Sequence, residues 1–151
     1  MASTTEALAA GEPPLIELRA MTRIFRLGDD EVHAVNGASL SIRRGEYCSI
    51  MGPSGSGKSS LLNLIALLDR PTSGQYLLNG RDVTALSDDE LAAVRNRTFG
   101  FVFQSFHLVP RLTAAQNIEL PLLLAGVASR ERTTRVRDAL AELGLTERAG
   151  H

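Results

Sequence analysis

The chain has 151 residues, of which 44% are apolar and 22% are charged, and its formal net charge is −1. This length suits one domain with a sizeable core, and the balanced charge argues against a nucleic-acid-binding surface. The single cysteine, Cys48, excludes a disulfide within the chain and fits a reducing compartment. No run of about 18 uncharged apolar residues occurs, so the sequence predicts no membrane span.

The first predicted elements are strands that follow a polar lead-in. Residues 1–14 are small and polar and end in two prolines, which predicts a disordered lead-in ahead of a domain at 15–151. Strand-like segments follow at 15–19, 32–35 and 38–42. Asn36-Gly37 is typical of a type I′ hairpin turn. The sequence therefore predicts an antiparallel β element before residue 46.

The next segment matches the phosphate-binding pattern G-x-x-x-x-G-K-[ST]. Its residues are Gly52, Pro53, Ser54, Gly55, Ser56, Gly57, Lys58 and Ser59. Glycines let the backbone N–H groups turn inward toward phosphate oxygens, and a following helix adds its positive end. Lys58 is predicted to reach the β- and γ-phosphates and Ser59 to ligate Mg²⁺. The alternative is a flexible Gly/Ser turn.

The flanks of this loop predict the context that such loops have. Residues 46–51 are predicted to form a short strand in which Cys48 is a small buried residue. Residues 60–68 are predicted to form a helix that is apolar nearly all round and is buried under a sheet. A strand, a glycine loop and a helix in that order favour the phosphate-binding interpretation.

The middle of the chain alternates turns, strands and capped helices. The sequence predicts a turn at 71–74, a strand at 75–78 and a second Asn-Gly turn at Asn79-Gly80. Ser87 and Glu90 form a capping-box pattern that opens a helix ending near Asn96. Residues 98–103 are predicted to return to a strand that ends at Gln104.

The last third of the chain is predicted to be helical. Thr113 and Gln116 form a second capping-box pattern, and Pro121 is expected to break the helix early. Residues 130–143 are amphipathic, and Gly144 is their predicted stop. The apolar face of this helix consists of Val136, Ala139, Leu140 and Leu143.

Only two segments, 46–51 and 98–103, are candidates for parallel strands. A phosphate-loop domain needs several parallel strands joined by helices. The sequence is therefore expected to stop in mid-domain, with the C-terminal half missing.

At Gln104 a family resemblance emerges. Residues 15–151 resemble the ATP-binding subunit of an ABC transporter, and more narrowly the group that serves lipoprotein release and macrolide or peptide export. The matching segments are 32–35, 51–58, 68–74, 101–106, 108–110, 112–114 and 117–122. The resemblance implies an α/β phosphate-loop NTPase core of the ABC type, with an N-terminal antiparallel β element and the start of a helical subdomain.

The resemblance also implies site residues and the cofactors ATP and Mg²⁺. Gln104 is similar to the glutamine whose amide approaches Mg²⁺ and the attacking water, and the Ser60 hydroxyl can contact a phosphate. Phe25 lies where the family stacks an aromatic ring on adenine, with Val35 as a neighbour. Phe25 as an ordinary core aromatic and Gln104 as a polar strand end are the alternatives. His33, His107 and His151 lack metal-ligand spacing, which favours surface or structural roles.

The resemblance finally implies partners. They are a membrane subunit, separate or fused, which residues 105–124 would contact, and a second ATP-binding domain in a homodimer, at the cytoplasmic face of the inner membrane. No nucleic acid is implied. The family's signature motif, catalytic glutamate and switch histidine would lie past His151, so the parent is predicted to be an ATPase and the 151-residue chain alone to be inactive. The alternatives are a non-catalytic fragment that binds nucleotide weakly or only contacts the membrane partner, and a soluble ABC-type ATPase of DNA repair or translation.

Overall fold

The computed structural model describes residues 13–151, so nearly all of the predicted lead-in at 1–14 lies outside the described residues. The described residues form two compact units, 13–100 and 101–151. The elements of the first unit are β1 (Ile16–Leu27), β2 (Asp30–Ile42), α1 (Lys58–Ile65), β3 (Ser73–Leu78), β4 (Arg81–Asp82) and α2 (Asp88–Thr98). Those of the second are α3 (Ala114–Leu124), α4 (Ser129–Glu142) and a 3₁₀ turn (Thr146–Arg148).

The four strands form one antiparallel sheet in the order β2-β1-β3-β4. The predicted antiparallel element is thereby confirmed, but its predicted turn is wrong. β1 and β2 are joined at Gly28-Asp29, whereas Asn36-Gly37 lies inside β2 at a register shift. There the Gly37 N–H donates to Thr22 Oγ1 at 3.0 Å, and Gly37 has a φ of 65°. A left-handed glycine serves a β-bulge as well as a turn, so the dipeptide alone does not distinguish them.

The second Asn-Gly dipeptide does form the predicted turn. Asn79 and Gly80 have φ values of 51° and 74°, and they join β3 to β4 with Leu78 paired to Arg81. Two consecutive left-handed residues are what a type I′ turn requires. This prediction is confirmed because the next strand starts directly after the dipeptide.

The core of the first unit lies between the sheet and the helices. Its fully buried side chains include Leu18 and Met21 from β1 and Leu64 from α1. The Tyr76 hydroxyl donates to the Ile65 carbonyl at 2.7 Å, and burial raises the pKa of Tyr76. The expected all-round burial at 60–68 is wrong, because the sheet covers one side of α1 and Leu62 is 52% exposed.

The two predicted parallel strands are not formed. Neither 46–51 nor 98–103 pairs with another segment within residues 13–151, and Thr98 ends α2 instead. Cys48 is exposed, so its predicted burial is wrong as well. Strand geometry is stabilised by ladder hydrogen bonds to a neighbour, and apolar sequence alone does not supply that neighbour.

The predicted capping box of α2 is confirmed. The Ser87 hydroxyl accepts the Glu90 N–H at 3.4 Å, and the Ser87 N–H donates to the Glu90 carboxylate at 2.9 Å. The hydrogen bonds from the Ser87 backbone and side chain hold the pKa of Glu90 below its ordinary value. A depressed folded-state pKa stabilises the fold above the unfolded-state pKa, and this contribution is lost as the pH falls through the lower folded-state value.

Ser87→Ala is expected to lower the free energy of unfolding by about 1 kcal/mol at neutral pH, because the Glu90 N–H loses its side-chain acceptor and the Glu90 carboxylate loses the Ser87 hydroxyl donor. The difference from the wild type is expected to shrink at acidic pH, once the pH has fallen through the depressed folded-state pKa of Glu90 and its carboxylate is protonated. Denaturant unfolding at the two pH values measures it. Ser41→Ala, at an exposed position of β2, is the control. Equal effects of the two substitutions would contradict the capping argument.

The second unit is built on α3 and α4. The capping box of Thr113 and Gln116 is confirmed. The predicted break at Pro121 is wrong, since α3 continues to Leu124. Proline removes one donor, but its carbonyl still accepts the Ala125 N–H at 3.0 Å and closes the last turn.

The C-terminal end of α4 follows the prediction in part. Val136 and Leu140 are buried, whereas Leu143, expected on the same face, is 66% exposed. Gly144 has a φ of 66°, and the Leu145 N–H donates to the Leu140 carbonyl at 2.8 Å. This is a Schellman arrangement, which confirms Gly144 as the predicted helix stop.

Candidate functional site

The predicted phosphate loop precedes α1 and leaves the start of that helix uncapped. Gly57 is the N-cap residue, with a φ of 83°, and it makes no side-chain capping hydrogen bond. The first turn of α1 contains no acidic residue, whereas α2 and α3 begin with capping boxes and the uncapped start of α4 has Glu131 in its first turn. The first N–H groups of a helix have no intrahelical acceptor and carry its positive end. The first N–H groups of α1 therefore form a site that is suited to an anion.

Lys58 is the only lysine in the chain. Its Nζ donates to the Pro53 carbonyl at 2.5 Å and lies 3.4 Å from Ser56 Oγ. The ammonium is thus folded back over the loop and contacts two oxygens of the loop itself. The loop is closed further by the Ser56 N–H, which donates to the Pro53 carbonyl at 3.3 Å.

A cavity of about 450 Å³ opens along the loop. Its lining residues are Val32, His33, Ala34, Ser54, Gly55, Gly57, Lys58, Ser59 and Ser60. A second cavity, of about 320 Å³, borders the same loop and includes Val35, Ser56 and Lys58. The structure thus brings most of the sequence-predicted loop residues to one concave surface whose size suits a small-molecule ligand.

Two glycines let the loop approach its surroundings closely. A Cβ on Gly57 would lie 2.0 Å from the Ala34 carbonyl oxygen, and one on Gly52 would lie 2.7 Å from Ser56 Oγ. The Ala34 contact arises where β2 bulges, between the pairs Arg23↔Val35 and Ile24↔His33. The bulge therefore presses a β2 carbonyl against the N-cap of α1.

Sequence reasoning missed the contribution of β2 to this cavity. Val32 and Ala34 received no role, and His33 was expected at the surface or in a structural role, yet all three line the cavity. The only signal was the family-like segment 32–35. Nothing in its residue types indicates which of its atoms face the loop, because the bulge register decides that.

Phe25 and Val35 lie on the neighbouring strands. Val35 is buried in the core and also borders the smaller cavity. Phe25 pairs across the sheet with Val32, and its side chain is partly exposed. Their predicted places beside an adenine base stay predictions.

Gln104 belongs to the second unit and is exposed. The rings of Phe101 and Phe103 stack at 5.8 Å, and the Phe103 ring lies 4.7 Å from His107. The His107 Nδ1 is 2.8 Å from the Ser105 carbonyl oxygen. Gln104 thus lies in a segment whose aromatic rings contact one another, and its role at Mg²⁺ remains a prediction.

The donor chemistry fits a divalent cation held mainly by a phosphate. Within residues 13–151, no three His, Cys, Asp or Glu side chains come together as a metal site. The Ser59 hydroxyl at the cavity is a hard oxygen donor of the kind that Mg²⁺ uses together with phosphate oxygens and water. In the same part of the chain, no helix has the length and apolar character needed to cross a bilayer.

Comparison with known proteins places this site in a family. A family model described as ABC transporter matches residues 35–151. The chain is 50% identical over 139 residues to a macrolide export ATP-binding/permease protein MacB of Hyphomonas neptunium, and it covers 22% of that protein. It is 48% identical over 137 residues to the uncharacterized ABC transporter ATP-binding protein YknY of Bacillus subtilis, covering 60% of it.

Solved structures agree. The ATP-binding cassette MJ0796, in a dimeric post-hydrolysis state bound to ADP and Pi, is 40% identical with a TM-score of 0.78. The match covers 90% of this chain and 60% of that chain. The chain therefore spans less than two thirds of the relatives it matches. With the family model extending over most of its length, the chain belongs to the ABC transporter family.

Proposed function

We propose that the chain is the ATP-binding component of an ABC transporter, in which Mg-ATP binding and hydrolysis drive export or lipoprotein release. The observation that carries this proposal is the uncapped start of α1 beneath a glycine loop that holds the only lysine of the chain. An uncapped helix start with an adjacent ammonium favours a multiply charged anion, and the phosphates of ATP are such an anion.

Each residue of the loop has a separate role in this proposal. The N–H groups of Gly55 and of residues 57–60 donate to phosphate oxygens, and the Lys58 ammonium exchanges the Pro53 carbonyl for a phosphate oxygen. Ser59 holds Mg²⁺, which neutralises charge on the phosphates when bound. Gln104 orients the attacking water. Phe25 stacks on the base, and Val35 packs beside it.

The proposed partners are a membrane subunit and a second ATP-binding domain. The name of MacB joins an ATP-binding part to a permease, and MJ0796 is described as a dimer. The segment 105–124 exposes Phe106, Leu108, Leu123 and Leu124, a set of large apolar side chains that favours a protein contact. The chain would then lie peripherally at the cytoplasmic face of the membrane.

A non-catalytic role for the 151-residue chain by itself is the second candidate. The segments 46–51 and 98–103 favour it, because neither pairs with another part of residues 13–151, and the segment before the loop therefore has no lateral support there. We expect ATP turnover from the full-length protein and none above background from the 151-residue chain. Turnover by the chain alone that depends on Lys58 would exclude the second candidate.

The sole lysine gives a direct test of nucleotide binding. We expect Mg-ATP to slow acetylation of the Lys58 amine by N-acetoxysuccinimide by about tenfold, because phosphate oxygens would cover the ammonium. Peptide mass spectrometry on the full-length protein measures the rate at this position. Arg130→Lys, on the exposed side of α4, adds a reference amine whose rate should not change. Equal acetylation of Lys58 with and without Mg-ATP would contradict the proposal.

A further inference from the structure

Arg23 covers one face of the Phe25 ring. The two residues are two positions apart in β1, so their side chains project from the same face of the sheet. The Arg23 guanidinium carbon lies 4.4 Å from the centroid of the Phe25 ring. Phe25 remains 38% exposed. A cation over an aromatic face is attracted by the ring, so this contact favours the ring orientation that the structure has.

Arg23 is itself held in place by Asp69. The Arg23 Nε donates to Asp69 Oδ2 at 2.8 Å, and both side chains are only about a quarter exposed, at 25% and 24%. The other carboxylate oxygen of Asp69 accepts the Arg70 N–H at 2.8 Å. The Asp69 carboxylate is therefore oriented by the backbone N–H of the next residue and presents its other oxygen to the guanidinium.

The segment that carries Asp69 is fastened to β1 by backbone hydrogen bonds as well. The Ile24 N–H donates to Thr72 Oγ1 at 3.0 Å, and the Thr72 N–H donates to the Thr22 carbonyl at 2.7 Å. Residues 22–24 of β1 are thus tied to the chain that leaves α1. The same helix begins at Lys58, so one short helix connects the phosphate loop to the support of Phe25.

We propose that Arg23 is a positioning residue for base recognition, held by Asp69 so that the free face of Phe25 stacks on a purine. This inference rests on the proposed function and adds to it the residues that set the ring. Phe25 pairs across the sheet with Val32, and Val32 lines the cavity that contains Lys58, so Phe25 lies one strand away from the proposed phosphate site. One ring face is taken by the guanidinium, which leaves a single face for a base.

The experiment measures the contribution of the base to binding separately from that of the phosphates. Calorimetry on the full-length protein measures the affinities for Mg-ATP and for magnesium tripolyphosphate, which has no base. Phe25→Ala is expected to weaken ATP binding by about tenfold. Arg23→Met is expected to weaken it by about threefold and to leave tripolyphosphate binding unchanged. Arg23→Lys, which keeps a cation, is expected to restore part of the ATP affinity.

A matched control lies on the same strand. Arg26 pairs with Glu31 at 3.1 Å on an exposed surface, and Arg26→Ala should change neither affinity. If Arg23→Met does not fold, Asp69→Asn serves instead, because it keeps the guanidinium and loosens its support. It should lower the affinity for Mg-ATP relative to the affinity for magnesium tripolyphosphate. An equal loss for both ligands, or an unchanged ratio, would overturn the positioning role. Failure of the wild type to bind either ligand would instead overturn the proposed function, and this inference with it.

Discussion

Lys58→Ala is expected to weaken Mg-ATP binding by at least about a hundredfold, because a charge-assisted hydrogen bond to a phosphate is lost at a helix start. The Lys58 Nζ now contacts only the Pro53 carbonyl and Ser56 Oγ, both within its own loop. Removing it leaves a small, partly exposed gap, so the free energy of unfolding should change little. The large effect is expected on nucleotide binding and on ATP hydrolysis by the full-length protein.

Titration with Mg-ATP, together with thermal unfolding of the same samples, measures both parts of this prediction. Arg130→Ala removes an exposed cation of α4 and serves as the control for net charge. Lys58→Arg keeps the charge but replaces a point ammonium by a planar fork, so it should recover only part of the affinity. Wild-type affinity in Lys58→Ala would rule out the ammonium as a phosphate ligand.

Gly57→Ala is expected to destabilise the first unit by about 3 kcal/mol and to abolish nucleotide binding. The added Cβ would lie 2.0 Å from the Ala34 carbonyl oxygen, and Gly57 has a φ of 83°. Backbone cannot yield as a flexible side chain can, so either β2 or the start of α1 must move. Both movements disturb the N–H groups that would face a phosphate.

Gly55→Ala is the matched control for the clash. Gly55 has a similar φ of 79°, but a Cβ there would meet nothing within 4 Å. It should cost only the left-handed backbone strain, about 1 kcal/mol. Denaturant unfolding of the two variants separates strain from contact. If both substitutions cost the same, the close approach of Ala34 to Gly57 has no energetic role.

The features predictable from sequence are those decided within a few residues. The capping boxes of Ser87 and Thr113 are side-chain-to-backbone hydrogen bonds that span three positions, and both form as predicted. Asn79-Gly80 and Gly144 adopt the left-handed geometry that their residue types favour. The family was also recognisable from local motifs, and the comparisons confirm it.

Most of the wrong predictions depended on distant partners, whereas the one at Pro121 was decided within its own helix. Residues 46–51 have the composition of a strand, but pairing requires a neighbour elsewhere in the chain. Asn36-Gly37 became a bulge because β1 continues opposite it, and the hairpin closed at Gly28-Asp29. Pro121 stayed within α3 because the turn after it is closed by its own carbonyl.

For this protein, the sequence by itself determined where the phosphate loop lies in the chain, the position of its lysine and the family. Those depend on residue type and spacing. Only the tertiary structure decided that the Ala34 carbonyl meets Gly57, and that Asp69 and Arg23 support Phe25. Such contacts join residues that are far apart in the chain, and a bulge of one residue moves every side chain beyond it to another face. Their positions therefore follow from the packing of β1, β2 and α1.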